Sequence, residues 1–249
     1  IEENSELDLL VSYKEHAGDP RIADVCADMA AEMGEGHYYP DLLTRMAQFE
    51  LTLLDWAENH KGSKKYVAFA DKCWPAFPSQ FGLEPCYVNS RLASRGIPVA
   101  CEVDIYGALS EYIGMCASGD TVTLLYIYDE DITGKFNYKL TDTFMGFHCG
   151  NTPSCKMCSD RAVKYQLIQH RLLEPAGSDP DFTRGTLEGD IAPSDITFYR
   201  LQCDSEGQLR AYIAQGEILP VATRSFGGIA IFAIPEMGRF YRHVLIQKR

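Results

Sequence analysis

The stretch Cys73–Tyr112, CWPAFPSQFGLEPCYVNSRLASRGIPVACEVDIYGALSEY, decides how the rest of the chain is read. Within it, Ile97-Pro98-Val99-Ala100-Cys101 is short, apolar and partly β-branched, the pattern of a fully buried strand. Glu102 and Asp104 stand at the C-terminal end of that strand, and Ile105–Ile113 follows with helical spacing of its apolar residues. In α/β architectures, ligands and reacting groups collect beyond the carboxyl ends of strands. Upstream, Tyr66–Ala70 is a second short buried-strand candidate, and residues 77–95 carry a helix or loop between the two. Strand, helix and strand in that order predict a parallel sheet.

Towards the N-terminus, residues 5–60 read as helical. Asp19-Pro20 marks a helix start, since proline is tolerated in the first turn, and Ile22, Val25, Cys26 and Met29 then share one face. A second helix opens at Asp41-Leu42 and repeats Leu43, Met46, Phe49, Leu53 and Trp56, with Gly62 just beyond as a stop. Towards the C-terminus the character changes. Thr121–Tyr128 reads as a strand, and so do four segments between Pro193 and Ile246: ITFYRLQC, QLRAYIAQGEIL, GGIAIFAI and RFYRHVLI. Asp204-Ser205-Glu206-Gly207 and Phe226-Gly227-Gly228 are the turn signals between them. The expected fold is therefore α/β plus mostly β. The C-terminal part of an α/β domain spans residues 1–97, followed by an antiparallel, β-rich, barrel-like domain over 98–249.

The chain has 249 residues, 46% of them hydrophobic, with a formal net charge of −12. No cluster of basic residues offsets that charge, which argues against nucleic acid, whose binders neutralise phosphates with Lys and Arg. No apolar run is long enough to cross a bilayer. Nine cysteines, an odd number in a chain too large to need staples, read as reduced thiols of a cytoplasmic protein.

Several groups carry possible chemistry, each beside a plainer reading. Glu102 and Asp104, two apart, share a face if both remain in the strand, and paired carboxylates suit a hard divalent cation; solvated acids at a strand end are the alternative. Glu84 precedes Pro85-Cys86, and strand ends brought together would set it opposite Asp104; alone it is a surface charge. His148, in Phe147-His148-Cys149-Gly150-Asn151, is a metal ligand or a hydrogen-bonded core group. With Cys149, Cys155 and Cys158 it makes a cramped candidate for zinc. Trp74 and Phe77 form either an aromatic wall for a sugar or part of a core.

The runs RLASRGIPVACEVDIYGALSEYI (91–113), FMGFHCGNTPSC (144–155), RGTLEGDI (184–191), LRAYIAQGEILPVATRSFGG (209–228) and IPEMGRFYRHVLI (234–246) resemble the L-fucose/L-arabinose isomerase family. They look most like its fucose isomerase-like bacterial members. The likeness covers most of residues 66–249, while 1–65 fit the helical part of that family's middle domain. It implies an aldose–ketose isomerase that works through an enediol on a sugar, uses a divalent cation, usually manganese, and assembles as a homo-oligomer. It also implies a metal set of Glu84, Asp104 and His148, with Glu84 and Asp104 as the proton-transferring pair; Glu102 is expected beside them, as an alternative ligand or towards substrate, and Trp74, from its aromatic face, towards substrate. In the family a ligand histidine lies beyond the segment resembling RFYRHVLIQKR. The chain is therefore expected to be the C-terminal portion of a longer protein, inactive by itself, with His243 a core or strand residue. A non-catalytic sugar-binding or oligomer-assembly domain is the alternative.

Overall fold

The computed structural model describes residues 1–34, 39–128, 138, 142–223 and 225–238. Helix α1 (Glu6–Glu15) is opened by Ser5, whose hydroxyl accepts from the Asp8 backbone N–H. Helix α2 (Ile22–Met33) buries Ile22, Met29 and Met33, with Val25 and Cys26 packed against the same core, the face its spacing predicts. Helix α3 (Pro40–His60) has proline in its first turn and buries Leu42, Met46, Phe49 and Leu53. Phe49 meets Phe77 and Phe81 at ring-centroid distances of 5.2 and 5.6 Å.

After α3 come β1 (Phe69–Ala70), α4 (Phe77–Phe81), α5 (Cys86–Ser94), β2 (Val99–Ala100) and α6 (Ile105–Ser118). Strands β1 and β2 pair in parallel, Phe69 against Val99 and Ala70 against Ala100, as the strand–helix–strand order predicts. This pairing spans the division expected at residue 97. Both strands are shorter than their apolar runs. Because β2 ends at Ala100, Glu102 and Asp104 lie in a turn, and the same-face argument for them does not apply.

Helices α2, α3 and α5 meet around one buried cation. Arg91, 3% exposed, donates from Nε to Glu50 Oε2 at 2.6 Å and from Nη2 to Asp28 at 2.7 Å, and also reaches Glu32. Glu50, 1% exposed, is shared with Arg95. Ser154 donates to Glu32 from the second half of the chain, so the network also ties the helices to the segment ahead of β5.

The second half supplies β3 (Tyr126–Tyr128), β4 (Thr143–His148), β5 (Ala162–Tyr165), α7 (Leu167–Leu173), β6 (Arg184–Asp190), β7 (Asp195–Cys203), β8 (Leu209–Leu219) and β9 (Gly228–Ala233). The order is β3-β4-β9-β6-β5, with β8 pairing both β7 and β9. Two corrections follow. Among the described residues the sheet does not close into a barrel, and it is mixed, because β6 and β9 run parallel at Gly189↔Gly228 and Asp190↔Ile229. The β7–β8 hairpin is the one the turn signal predicts, with Asp204 Oδ1 accepting from the Glu206 and Gln208 N–H groups. The strand expected at Thr121–Tyr128 is confined to Tyr126–Tyr128. RFYRHVLI and His243 lie outside the described residues. Helix α6 packs on β7, where Tyr199 Oη donates to Ser110 O and Leu201 N–H to Ser110 Oγ, each at 3.0 Å. No described helix is long and apolar enough to cross a membrane.

Candidate active site

Strand ends and helix starts bring a row of ionisable side chains together inside the protein. Glu84 sits between α4 and α5, fully buried, with its backbone N–H donating to Arg184 O at 2.7 Å. That close approach depends on Gly185, at φ 128°, where a Cβ would fall 2.1 Å from Glu84 O. Gln169 Nε2 of α7 donates to Glu84 Oε2 at 3.2 Å, while Glu84 Oε1 and Gln169 Oε1 are both buried without a protein partner. Burial, reinforced by Cys149 and Asp71, pushes the Glu84 carboxyl up to about 9. It therefore keeps its proton at neutral pH, and that O–H is what the neighbouring amide oxygen lacks.

Asp71 follows β1 directly. Its Oδ2 accepts from Asn89 Nδ2 at 2.8 Å, its Oδ1 is buried and unpartnered, and burial raises the group to about 6. His148 ends β4 with no solvent exposure. Burial alone would lower its pKa, but Cys149, then Glu111 and Asp71, outweigh that and raise it. Gly227, at φ 79°, lets the chain before β9 pass here, since a Cβ would lie 2.2 Å from His148 O. Glu111, on the buried face of α6, is lifted to about 7 by burial, with His148 pulling the other way. Cys149 is lowered well below an ordinary thiol, first by a hydrogen bond from Cys86 and further by His148.

Asp104 is positioned differently. It caps α6, its Oδ1 accepting from the Gly107 N–H at 2.8 Å, and both its oxygens engage the Arg200 guanidinium of β7, at 2.8 and 2.7 Å. Replacing Asp104 by Ala removes a cap and a half-buried ion pair together. The expected cost is about 1–2 kcal/mol, seen as a lower urea midpoint with loss of order in α6. An unchanged midpoint would show that neither contact stabilises the fold. Glu102 is exposed at φ 62°, followed by Val103 at φ 57°, a left-handed pair unusual for non-glycine residues. Trp74 is half-buried against the helical core.

Of the residues expected at the site, Glu84 and His148 share the neighbours Asp71 and Cys149, and Asp104 joins through Glu111. Asp71, Glu111, Gln169 and Arg200 were not singled out from sequence, and Cys149 was considered only as a zinc ligand. Asp71 carries the same signal as Asp104, an acid just after a buried strand. Glu111 stands among the small residues of GALSEYIG. Nothing local marks Gln169. A cation needs several donors facing one point. Among the described residues, no group of three or more His, Cys, Asp or Glu side chains is placed to hold a metal ion. With both Asp104 oxygens engaged by Arg200 and Glu84 neutral, these two and His148 do not fit a cation as they are arranged. An open cavity of about 700 Å³ lies elsewhere, lined by Tyr39, Arg45, Asp181 and Arg184 among others, and by none of the expected site residues.

Comparison with known proteins bears out the resemblance read from the sequence blocks. Residues 146–248 match the family model described as L-fucose isomerase, C-terminal domain, a segment that begins just before His148. The chain is 28% identical over 215 residues to a sulfoquinovose isomerase of Alkalicoccus urumqiensis, covering 81% of this chain and 44% of that protein. It is 28% identical over 171 residues to a sulfoquinovose isomerase of Clostridium sp. (strain MSTE9), covering 68% and 34%. A third, from Priestia aryabhattai, is 25% identical over 182 residues, covering 73% and 36%. The chain thus spans from about a third to under half the length of these curated relatives.

Proposed function

We propose that this chain is the C-terminal portion of an aldose–ketose sugar isomerase. The observation that carries the reading is the domain match over residues 146–248, joined to the buried row of proton-holding groups through His148. Isomerisation moves a proton between adjacent carbons and another between their oxygens, so it needs groups that keep and release protons near neutral pH. A carboxyl group that holds its proton can donate one, and a carboxylate held in an ion pair can accept one. Glu84, protonated at neutral pH, is the donor in this reading. Asp104, set against Arg200, is the acceptor, and Glu102 and Trp74 lie towards the sugar. A divalent cation, with manganese first, belongs to the proposal and would polarise the carbonyl when bound. Since the arranged residues do not fit it by themselves, no step is assigned through it.

The substrate named for the relatives, sulfoquinovose, is the first sugar to try, followed by L-fucose and L-arabinose. Self-association is also proposed. Helix α6 exposes Ile105, Leu109 and Ile113, 41–46% accessible, at spacing that forms one apolar stripe. The test is ketose formation by the intact protein from each sugar, followed by NMR with manganese and after chelation. Turnover with at least one sugar that falls tenfold or more on chelation is expected. Sugar binding by calorimetry without turnover under any condition would sink the isomerase reading in favour of a binding domain.

A further inference from the structure

The open cavity of about 700 Å³ forms where the start of α3 meets the loop from α7 to β6. That volume suits a small molecule the size of a sugar. Its charged lining is two guanidinium groups, Arg45 and Arg184, and two carboxylates, Asp41 and Asp181. Arg184 lies 3.9 Å over the Tyr39 ring and donates from Nε to Pro180 O at 2.6 Å, so the Nη end of its fork is left for other acceptors. Arg45 meets Asp181 through one long contact of 3.4 Å, and its Nε is buried with no hydrogen-bond partner among the described residues. A buried N–H of a cation is costly unless something accepts from it. The loop is clamped by Glu174, which accepts from the Asp181 and Thr183 N–H groups at 3.1 and 3.0 Å and from the Thr183 hydroxyl at 2.7 Å. The two guanidinium groups thus stand on backbone that is already fixed.

We propose that this cavity binds a small hydroxylated molecule by a tetrahedral oxyanion of phosphorus or sulfur, gripped by Arg45 and Arg184. Guanidinium forks match such oxygens two at a time and hold them more strongly than neutral donors do. The Arg45–Asp181 pair is a weak competitor, because the Asp181 side chain is 76% exposed and ion pairs in that setting contribute little. Released from Arg45, Asp181 accepts from a ligand hydroxyl, and Asp41 and Thr44 at the start of α3 offer further oxygens for the same purpose. A bare anion would leave these acceptors unused, and carboxylates on the ligand would be repelled by them. The ligand therefore carries hydroxyl groups beside its charge.

The intact chain is titrated by calorimetry with glucose 6-phosphate, glucose 6-sulfate, glucose and inorganic phosphate. Phenylglyoxal labelling of its arginines is then mapped by mass spectrometry with and without each probe. The expected result is one site per chain for at least one of the anionic hexoses, weakened by added salt, with glucose and inorganic phosphate each binding tenfold or more less tightly. Binding of only one anionic hexose would name the element of the oxyanion. The bound probe should shield Arg45 and Arg184 from phenylglyoxal while the exposed Arg210 is labelled as before. Arg45→Gln and Arg184→Gln should each weaken binding tenfold or more. The proposal is overturned if neither anionic hexose binds, if glucose or inorganic phosphate binds as tightly, or if Arg45 and Arg184 are labelled equally with the probe bound. Shielding is read on the unsubstituted protein, so a variant that fails to fold leaves the test intact. Neither measurement needs turnover, so both stand apart from the isomerase assay.

Discussion

Glu84→Gln should flatten the dependence of stability on pH. In the folded protein Glu84 keeps its proton up to about 9, whereas its ordinary value is 4.5. Below 4.5 both states are protonated and the group adds no pH dependence. Above it the unfolded chain releases a proton that the native state holds, so stability falls with rising pH until the folded group ionises near 9. The slope is at most about 1.4 kcal/mol per pH unit, so the loss between pH 5 and 8 is on the order of 3–4 kcal/mol. Glutamine has the same shape, cannot ionise, and offers its amide to Gln169. Asp71, raised to about 6, and Glu111, raised to about 7, act in the same direction and remain in the variant. His148 adds to them, because the stability from its raised pKa is present at low pH and disappears as pH climbs through that value. Urea unfolding at pH 5, 6.5 and 8 should show the gap between variant and wild type widening steadily. Parallel profiles would mean that Glu84 is ionised in the fold.

Arg91→Met should be the most damaging of the substitutions considered. It leaves Glu50 buried among three helices with only the half-exposed Arg95 to meet it. Removing one member of a buried pair typically costs about 3–5 kcal/mol, because the stranded charge loses its partner without regaining water. Arg91→Lys should recover little, since one ammonium cannot reproduce the fork that reaches Glu50, Asp28 and Glu32 at once. The double substitution Arg91→Met with Glu50→Leu should recover most of the loss. Urea midpoints for the two singles and the double close the cycle. A double variant no more stable than Arg91→Met alone would place the cost in packing instead of stranded charge.

Periodicity made the helical half legible. Ile22 and Met29, and Met46, Phe49 and Leu53, are core residues because helical spacing sets them on one side. The β7–β8 hairpin was legible too, through Asp204–Gly207 between two alternating runs. Strand β6 was not, because RGTLEGD has little alternation and owes its pairing to neighbours on both edges. For the same reason barrel closure could not be inferred from a count of strands: the neighbours of β9 are set by pairings between segments far apart in the chain. At the site, the positions of Glu84, Asp104 and His148 stood out locally, but their states did not. Arg200 meets Asp104 from the far side of the chain, and Gln169 meets Glu84 from α7, so what each acid does depends on partners that no motif contains.

Strand β9 is a neighbour of β4, β6 and β8 together, although it is the last strand described. During synthesis β4 leaves the ribosome long before the segment that will hold it, and His148 stays in water until that segment arrives. His148 lies opposite Gly228 in the β4–β9 ladder, so its enclosure is completed by a partner eighty residues further along, and docking of that strand is a slow, long-range step.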